Sequence, residues 1–109
     1  MSANPYRGEV SLIINGQTHG LRLTLGALAE LEAGLEADSL IALVQRFETA
    51  TFSSRDIIAL LMAGLKGGGW QGHPDDLLGA EIEGGPQQAA QTAALLLLRA
   101  FGPEQQAST

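Results

Sequence analysis

Between Leu21 and Gly34 the chain reads LRLTLGALAELEAG, and its apolar period changes in the middle of that run. Up to Thr24 apolar and polar residues alternate, as along one face of a strand. Beyond it Leu25, Leu28 and Leu31 recur at helical spacing, with Leu35 prolonging the stripe. A strand therefore passes almost directly into a helix, which restricts the fold to one that layers a short sheet against helices. Thr24 suits the N-cap, because its hydroxyl can accept from a first-turn amide that has no partner inside the helix; Gly34 suits the left-handed residue that closes the last turn.

Upstream, Glu9 to Asn15 reads EVSLIIN, placing Val10, Leu12 and Ile14 on one face. Asn15-Gly16 is a pair able to adopt positive φ in a tight reversal, and Thr18 to Leu23 forms the return strand with Leu21 and Leu23 sharing a face. So short a turn forces antiparallel pairing, and a hairpin alone is marginal unless a helix covers its apolar side. The Leu25 helix is nearest in sequence. The expected packing sets Val10, Leu12, Leu21 and Leu23 against Leu28, Leu31 and Leu35.

Downstream, Asp38 or Ser39 caps a second helix carrying Leu40, Leu43, Val44 and Phe47, and Thr49 to Phe52 connects it onward. Ser53 followed three residues later by Asp56 is close to a capping box, though the acid is shorter than the usual Glu; Ile57, Leu60, Leu61 and Leu65 then form a third helical stripe. Gly67-Gly68-Gly69 stops that helix, each glycine costing about 1 kcal/mol relative to alanine, and a flexible turn is expected there. Trp70 to His73 reads as loop, with Trp70 folding back on the core. Pro74, followed by Asp75 and Asp76, opens a short fourth helix through Leu77, Leu78 and Ile82, ended by Gly84-Gly85. Pro86 opens a fifth that runs from an alanine-rich half into Leu95-Leu96-Leu97-Leu98 and stops at Gly102-Pro103. The expectation is an α+β chain: an N-terminal antiparallel β-hairpin followed by four to five short α-helices in one small domain over residues 8–102, with a loose lead-in at 1–7 and a disordered polar tail at 103–109.

Composition narrows the function classes. A chain of 109 residues, 45% hydrophobic and 17% charged, buries one core, and it contains no uninterrupted apolar segment of membrane-spanning length. A formal net charge of −6, with its six Lys and Arg residues scattered, opposes nucleic-acid binding, which needs clustered cations to neutralise phosphates. There is no cysteine, hence no disulfide framework and no thiolate nucleophile. The start MSANPYR lacks the apolar core of a signal peptide, so a cytoplasmic site is the default expectation.

Nor does a catalytic or cofactor constellation emerge. Lys66 precedes its glycines, whereas a phosphate-binding loop needs the lysine after them and before Ser or Thr. His19 and His73 lack any partner at metal-ligand spacing. Ser11, Ser53 and Ser54 are not set in a glycine-flanked nucleophile elbow. Glu30 and Glu32 diverge on a helix and make a poor acid and base pair; Glu32, at the stripe's edge, suits a structural ion pair with Arg22 or Arg46. No metal, cofactor or catalytic residue is assigned.

Taken together, R7-G-E-V, the N15-G turn, L23-T-L-G-A-L-A-E-L-E, L43-V-Q-R-F and S53-S-R-D-I-I-A-L-L-M-A-G-L-K-G, in that order, resemble one family. The chain looks like the small tail protein of alphaproteobacterial gene transfer agents, a group likened to phage tail assembly chaperones and sometimes labelled as tail tube proteins. The resemblance covers roughly residues 7–101, and its most specific piece is the run from Leu23 to Glu32. It implies a part in building a phage-like tail, without catalysis or cofactor: first as a tail assembly chaperone that binds other tail proteins, such as the tape-measure or tail tube protein, with possible homo-oligomerisation; second as a structural subunit of the tail tube. A third reading, outside the resemblance, is a small enzyme or regulator. The segment from Gly67 to Gly72 departs from the family pattern, and no role is carried onto it.

The four successive leucines of the fifth helix, at about 100° apiece, point all round its axis. Either the helix is central in the core, or Ala93, Leu96 and Leu97 with Phe101 serve the core while Leu95 and Leu98 stay exposed as a partner interface.

Overall fold

The computed structural model describes residues 9–34 and 39–101. The expectations for the lead-in, Leu35, Asp38, Gly102-Pro103 and the tail lie outside the described residues. The chain is α+β, with an antiparallel hairpin followed by helices. Strands β1 (Val10–Ile14) and β2 (Gln17–Leu21) pair in the register Val10↔Leu21, Leu12↔His19 and Ile14↔Gln17. Asn15 and Gly16 have φ of 53° and 80°, the two successive positive values of a type I′ turn, whose twist matches that of the strands it joins.

Among the described residues five helices follow: α1 (Leu25–Gly34), α2 (Leu40–Glu48), α3 (Ser54–Gly67), α4 (Pro74–Leu78) and α5 (Gly85–Phe101). The N-caps read from sequence are made, whereas Gly34, expected to be left-handed, is the last residue of α1 and has no positive φ. Thr24 Oγ1 accepts from Ala27 N–H at 3.0 Å, and Ser39 Oγ accepts from Ala42 N–H at 3.2 Å. Ser53 and Asp56 form the reciprocal capping box, Asp56 N–H donating to Ser53 Oγ at 3.2 Å and Ser53 N–H to Asp56 Oδ2 at 2.9 Å.

The hub is α3, which packs on β2, α1, α4 and α5 and buries Leu60, Leu61 and Leu65. This overturns the expected pairing of the hairpin with the Leu25 helix. The hairpin's apolar face, Val10, Leu12, Ile14 and Leu21, is covered by α3 against β2 and by α5 against β1. Helix α1 lies chiefly on α3 and buries Ala27 and Leu31, whereas Leu25 is 86% exposed.

Glycine is the physical reason for the rearrangement. Gly64, Gly67 and Gly68 fall at i, i+3 and i+4, so they share one side of α3. A Cβ on Gly67 would stand 1.9 Å from Arg22 O, one on Gly68 2.0 Å from Gly20 O, and one on Gly64 2.7 Å from Leu96 Cδ1. The bare face lets α3 lie against the backbone of β2 and of the residue following it. Arg22 N–H there donates to Gly64 O at 2.9 Å. The helix then closes with Gly69 left-handed (φ 103°), its N–H donating to Lys66 O at 3.0 Å, while Trp70 N–H donates to Leu65 O at 2.8 Å. These paired bonds form a Schellman motif that satisfies two terminal carbonyls. The expected flexible turn is thus hydrogen-bonded into place, and Trp70 is half-buried against the core.

A second departure concerns the fourth helix. It ends at Leu78, and Ile82, expected inside it, instead forms an antiparallel bridge with Ile14. Asn15 N–H donates to Glu81 O at 2.7 Å and Glu83 N–H to Ile13 O at 3.0 Å, so residues 81–83 occupy the outer edge of β1. Asn15 Oδ1 accepts from Glu81 N–H at 2.9 Å, which ties the turn residue to this segment. Two backbone bonds and one to the Asn15 side chain outweigh the weak helical preference of a stretch that begins after Gly79.

Candidate interaction surface

Helix α5 begins with Pro86 in its first turn, where the missing N–H is harmless, and its alanines let it lie close to its neighbours. Ala89, Thr92, Ala93, Leu96 and Leu97 are buried against α3 and β1. Thr92 keeps its hydroxyl satisfied by accepting from Gln88 Nε2 at 3.3 Å. Leu95, Leu98 and Phe101, at i, i+3 and i+6, are 39%, 50% and 45% exposed. The helix therefore has an apolar outer stripe over its last two turns and is not central in the core. Phe101, expected with the core, stands outside it: three residues beyond Leu98 it is offset by only about 60° from that side chain, on the outer side of the helix.

A separate apolar cleft of about 240 Å³ lies between the first turns of α3 and α5 and helix α4, lined by Ile57, Ile58, Leu61, Leu77, Leu78 and Ile82 among others. Among the described residues its lining holds no histidine and no carboxylate.

Charged groups serve structure. Arg46 donates from Nε to Asp56 Oδ2 and from a terminal nitrogen to Asp56 Oδ1, both at 2.9 Å, a bidentate pair joining α2 to the start of α3. These bonds from Arg46, with a further one from the Ser53 amide, hold the Asp56 carboxyl below its ordinary value of 3.8 despite the opposing effect of burial. Glu32, expected to meet Arg22 or Arg46, is exposed instead. Asp56 is the acid that takes Arg46, because its place in the capping box puts it on the side of α3 that faces α2. Glu30 reaches Lys66 at 3.6 Å between side chains 66% and 49% exposed, a geometry worth little in water.

His19 is half-buried on β2, and His73 precedes α4, its N–H donating to Asp76 Oδ2 at 3.0 Å. Among the described residues no group of three or more His, Cys, Asp or Glu side chains is arranged to hold a metal, and no helix is long and apolar enough to cross a membrane. Ser53 is used as a cap.

A small α+β domain carrying an apolar stripe at a helix end is accounted for by comparison with known families: the chain is a phage-type tail protein. It belongs to the family described as phage tail tube protein, GTA-gp10, a gene transfer agent family whose match spans residues 7–103. No curated protein and no solved structure matches the chain.

Proposed function

We propose that the protein is a non-enzymatic tail morphogenesis factor acting as a tail assembly chaperone, which holds other tail proteins, the tape-measure or tail tube protein, in the cytoplasm before they enter the particle. Besides family membership, the observation that carries this reading is the stripe of Leu95, Leu98 and Phe101 on α5. Apolar side chains at that spacing suit a helical partner or a second copy of the chain. A net charge of −6 helps keep such a stripe from indiscriminate association.

The family description favours a second reading, in which the chain is a structural subunit of the tail tube. Purified particles separate the two. A chaperone is recovered with its tail partner from assembling cells and is depleted from finished particles, whereas a tube subunit is present in them at ring stoichiometry. In either role the double substitution Leu95→Lys with Leu98→Lys should abolish partner capture or self-association while leaving the melt of the monomer intact. Collapse of the fold, or capture at the wild-type level, overturns the assignment of the interface to α5.

A further inference from the structure

The two edges of the hairpin are treated differently. In an antiparallel pair, backbone groups point alternately toward the partner strand and away from it. On β1 the outward residues are Ser11 and Ile13, followed by the Asn15 amide, and the segment 81–83 takes the Ile13 carbonyl and the Asn15 amide. On β2 the outward residues are Thr18 and Gly20, in line with Arg22, whose N–H reaches Gly64 O. The end of α3 covers this edge only in part, with Gly68 set against Gly20 O. Thr18 N–H, Thr18 C=O and Gly20 N–H face outward, and no described residue is hydrogen-bonded to them outside the ladder. Thr18 and Gly20 are exposed, and nothing stands within 4 Å of where a Gly20 Cβ would be. Beside them a groove of about 390 Å³ is lined by Thr18, His19, Gly20, Gly68, Gly69 and Trp70, with Gln71 at its end.

We propose that this groove takes one short extended segment of a partner polypeptide, added antiparallel to β2. Its occupant is specified by the backbone: one residue of the segment exchanges both bonds with Thr18, and the carbonyl two positions before it accepts from Gly20 N–H. The same molecule satisfies part of its opposite edge in this way with residues 81–83. Trp70 forms the wall on which the segment's side chains lie, and the absence of side chains on Gly68 and Gly69 leaves room for a main chain. The lining carries no acid, so the groove has no charge requirement of its own, but the net charge of −6 favours a basic or neutral segment over a second copy of this chain. The site is distinct from the α5 stripe and does not depend on the role assigned to it.

Trp70 is the only tryptophan of the chain, so its emission reports occupancy of the groove. The probe is the peptide acetyl-KVTVK-amide, titrated against the full chain. A saturable change in Trp70 emission is expected. N-methylation of the peptide's central amide should weaken binding by about tenfold or more, since it removes a donor and inserts a methyl into the pairing. Thr18→Pro should weaken it as much without unfolding the protein, because that N–H serves no ladder bond and proline is tolerated on a free edge. No emission change, or equal binding of the N-methylated peptide, overturns the proposal, and the second comparison does so even if Thr18→Pro fails to fold. Dimerisation of the wild-type chain that Thr18→Pro abolishes, with no peptide binding, also overturns it by assigning the edge to a second copy.

Discussion

Helix α3 is anchored at both ends, by opposite means. At its start the anchors are polar: the Ser53 and Asp56 capping box, and the Arg46 guanidinium gripping the same carboxylate from α2. At its end they are defined by missing atoms: Gly64, Gly67 and Gly68 carry no side chain, so the helix backbone rests on that of β2 and its continuation. The polar anchor tolerates small shifts, since side chains rotate and one of its partners, Arg46, is a quarter exposed. The glycine seam does not, because the atoms that a Cβ would meet at Gly67 and Gly68 are main-chain oxygens.

The largest effect is therefore expected at the seam. Gly67→Ala combined with Gly68→Ala should destabilise the domain by about 3 kcal/mol or more, as overpacking that cannot be relieved by a rotamer change. In an ordinary exposed helix the same change at Gly67 would stabilise by roughly 0.5 to 1 kcal/mol, so the sign of the effect decides the matter. Denaturant unfolding measures it, and a neutral or stabilised double variant would remove the seam as the reason α3 displaces α1 from the hairpin. Next comes Asp56→Ala, expected to cost about 2 to 3 kcal/mol. A lost cap accounts for about 1 kcal/mol, and the rest comes from leaving Arg46 half-buried without its carboxylate, reduced from the fully buried case by solvent screening.

Acid should distinguish the two ends without any mutation. The Asp56 carboxyl is held below its ordinary value in the folded protein, so its stabilisation is present above the unfolded value near 3.8 and is lost as pH falls through the lower folded value. Hydrogen exchange of the first-turn amides of α3 should accelerate in that range before exchange at Gly68, Gly69 and Trp70. Simultaneous loss of protection at both ends would mean that the helix opens as one unit and the contrast is structural only. The smallest effect is expected for Leu25→Gln. Leu25 is 86% exposed, and its replacement should stay within about 0.5 kcal/mol of wild type; a larger loss would restore the apolar stripe first read in α1.

Much of the architecture was legible in the chain because it depends on near neighbours. The hairpin turn needs only Asn15-Gly16, and the caps need only Thr24, Ser39 and Ser53 with the residues three positions on. Helix α3 needs only the recurrence of Leu60, Leu61 and Leu65. In the interaction surface, the crowding of leucines at residues 95–98 left two arrangements open, a central helix or a core pair with an outer pair, and the exposure of Leu95 and Leu98 selects the second. Phe101 was misplaced because the stripe's direction at the helix end depends on what α5 packs against.

What the sequence by itself determined is the set of elements, their order and most of their boundaries, because turn φ values, capping hydrogen bonds and apolar period are local properties. Only the tertiary structure decided which helix covers the hairpin, where Ile82 goes, and which acid pairs with Arg46. Each of those is a competition between distant segments for the same surface or bond. Gly64, Gly67 and Gly68 won the first of them for α3, by allowing an approach that leucines on α1 could not match; in sequence Gly67 and Gly68 read only as a place for a helix to stop, and Gly64 carried no signal of its own.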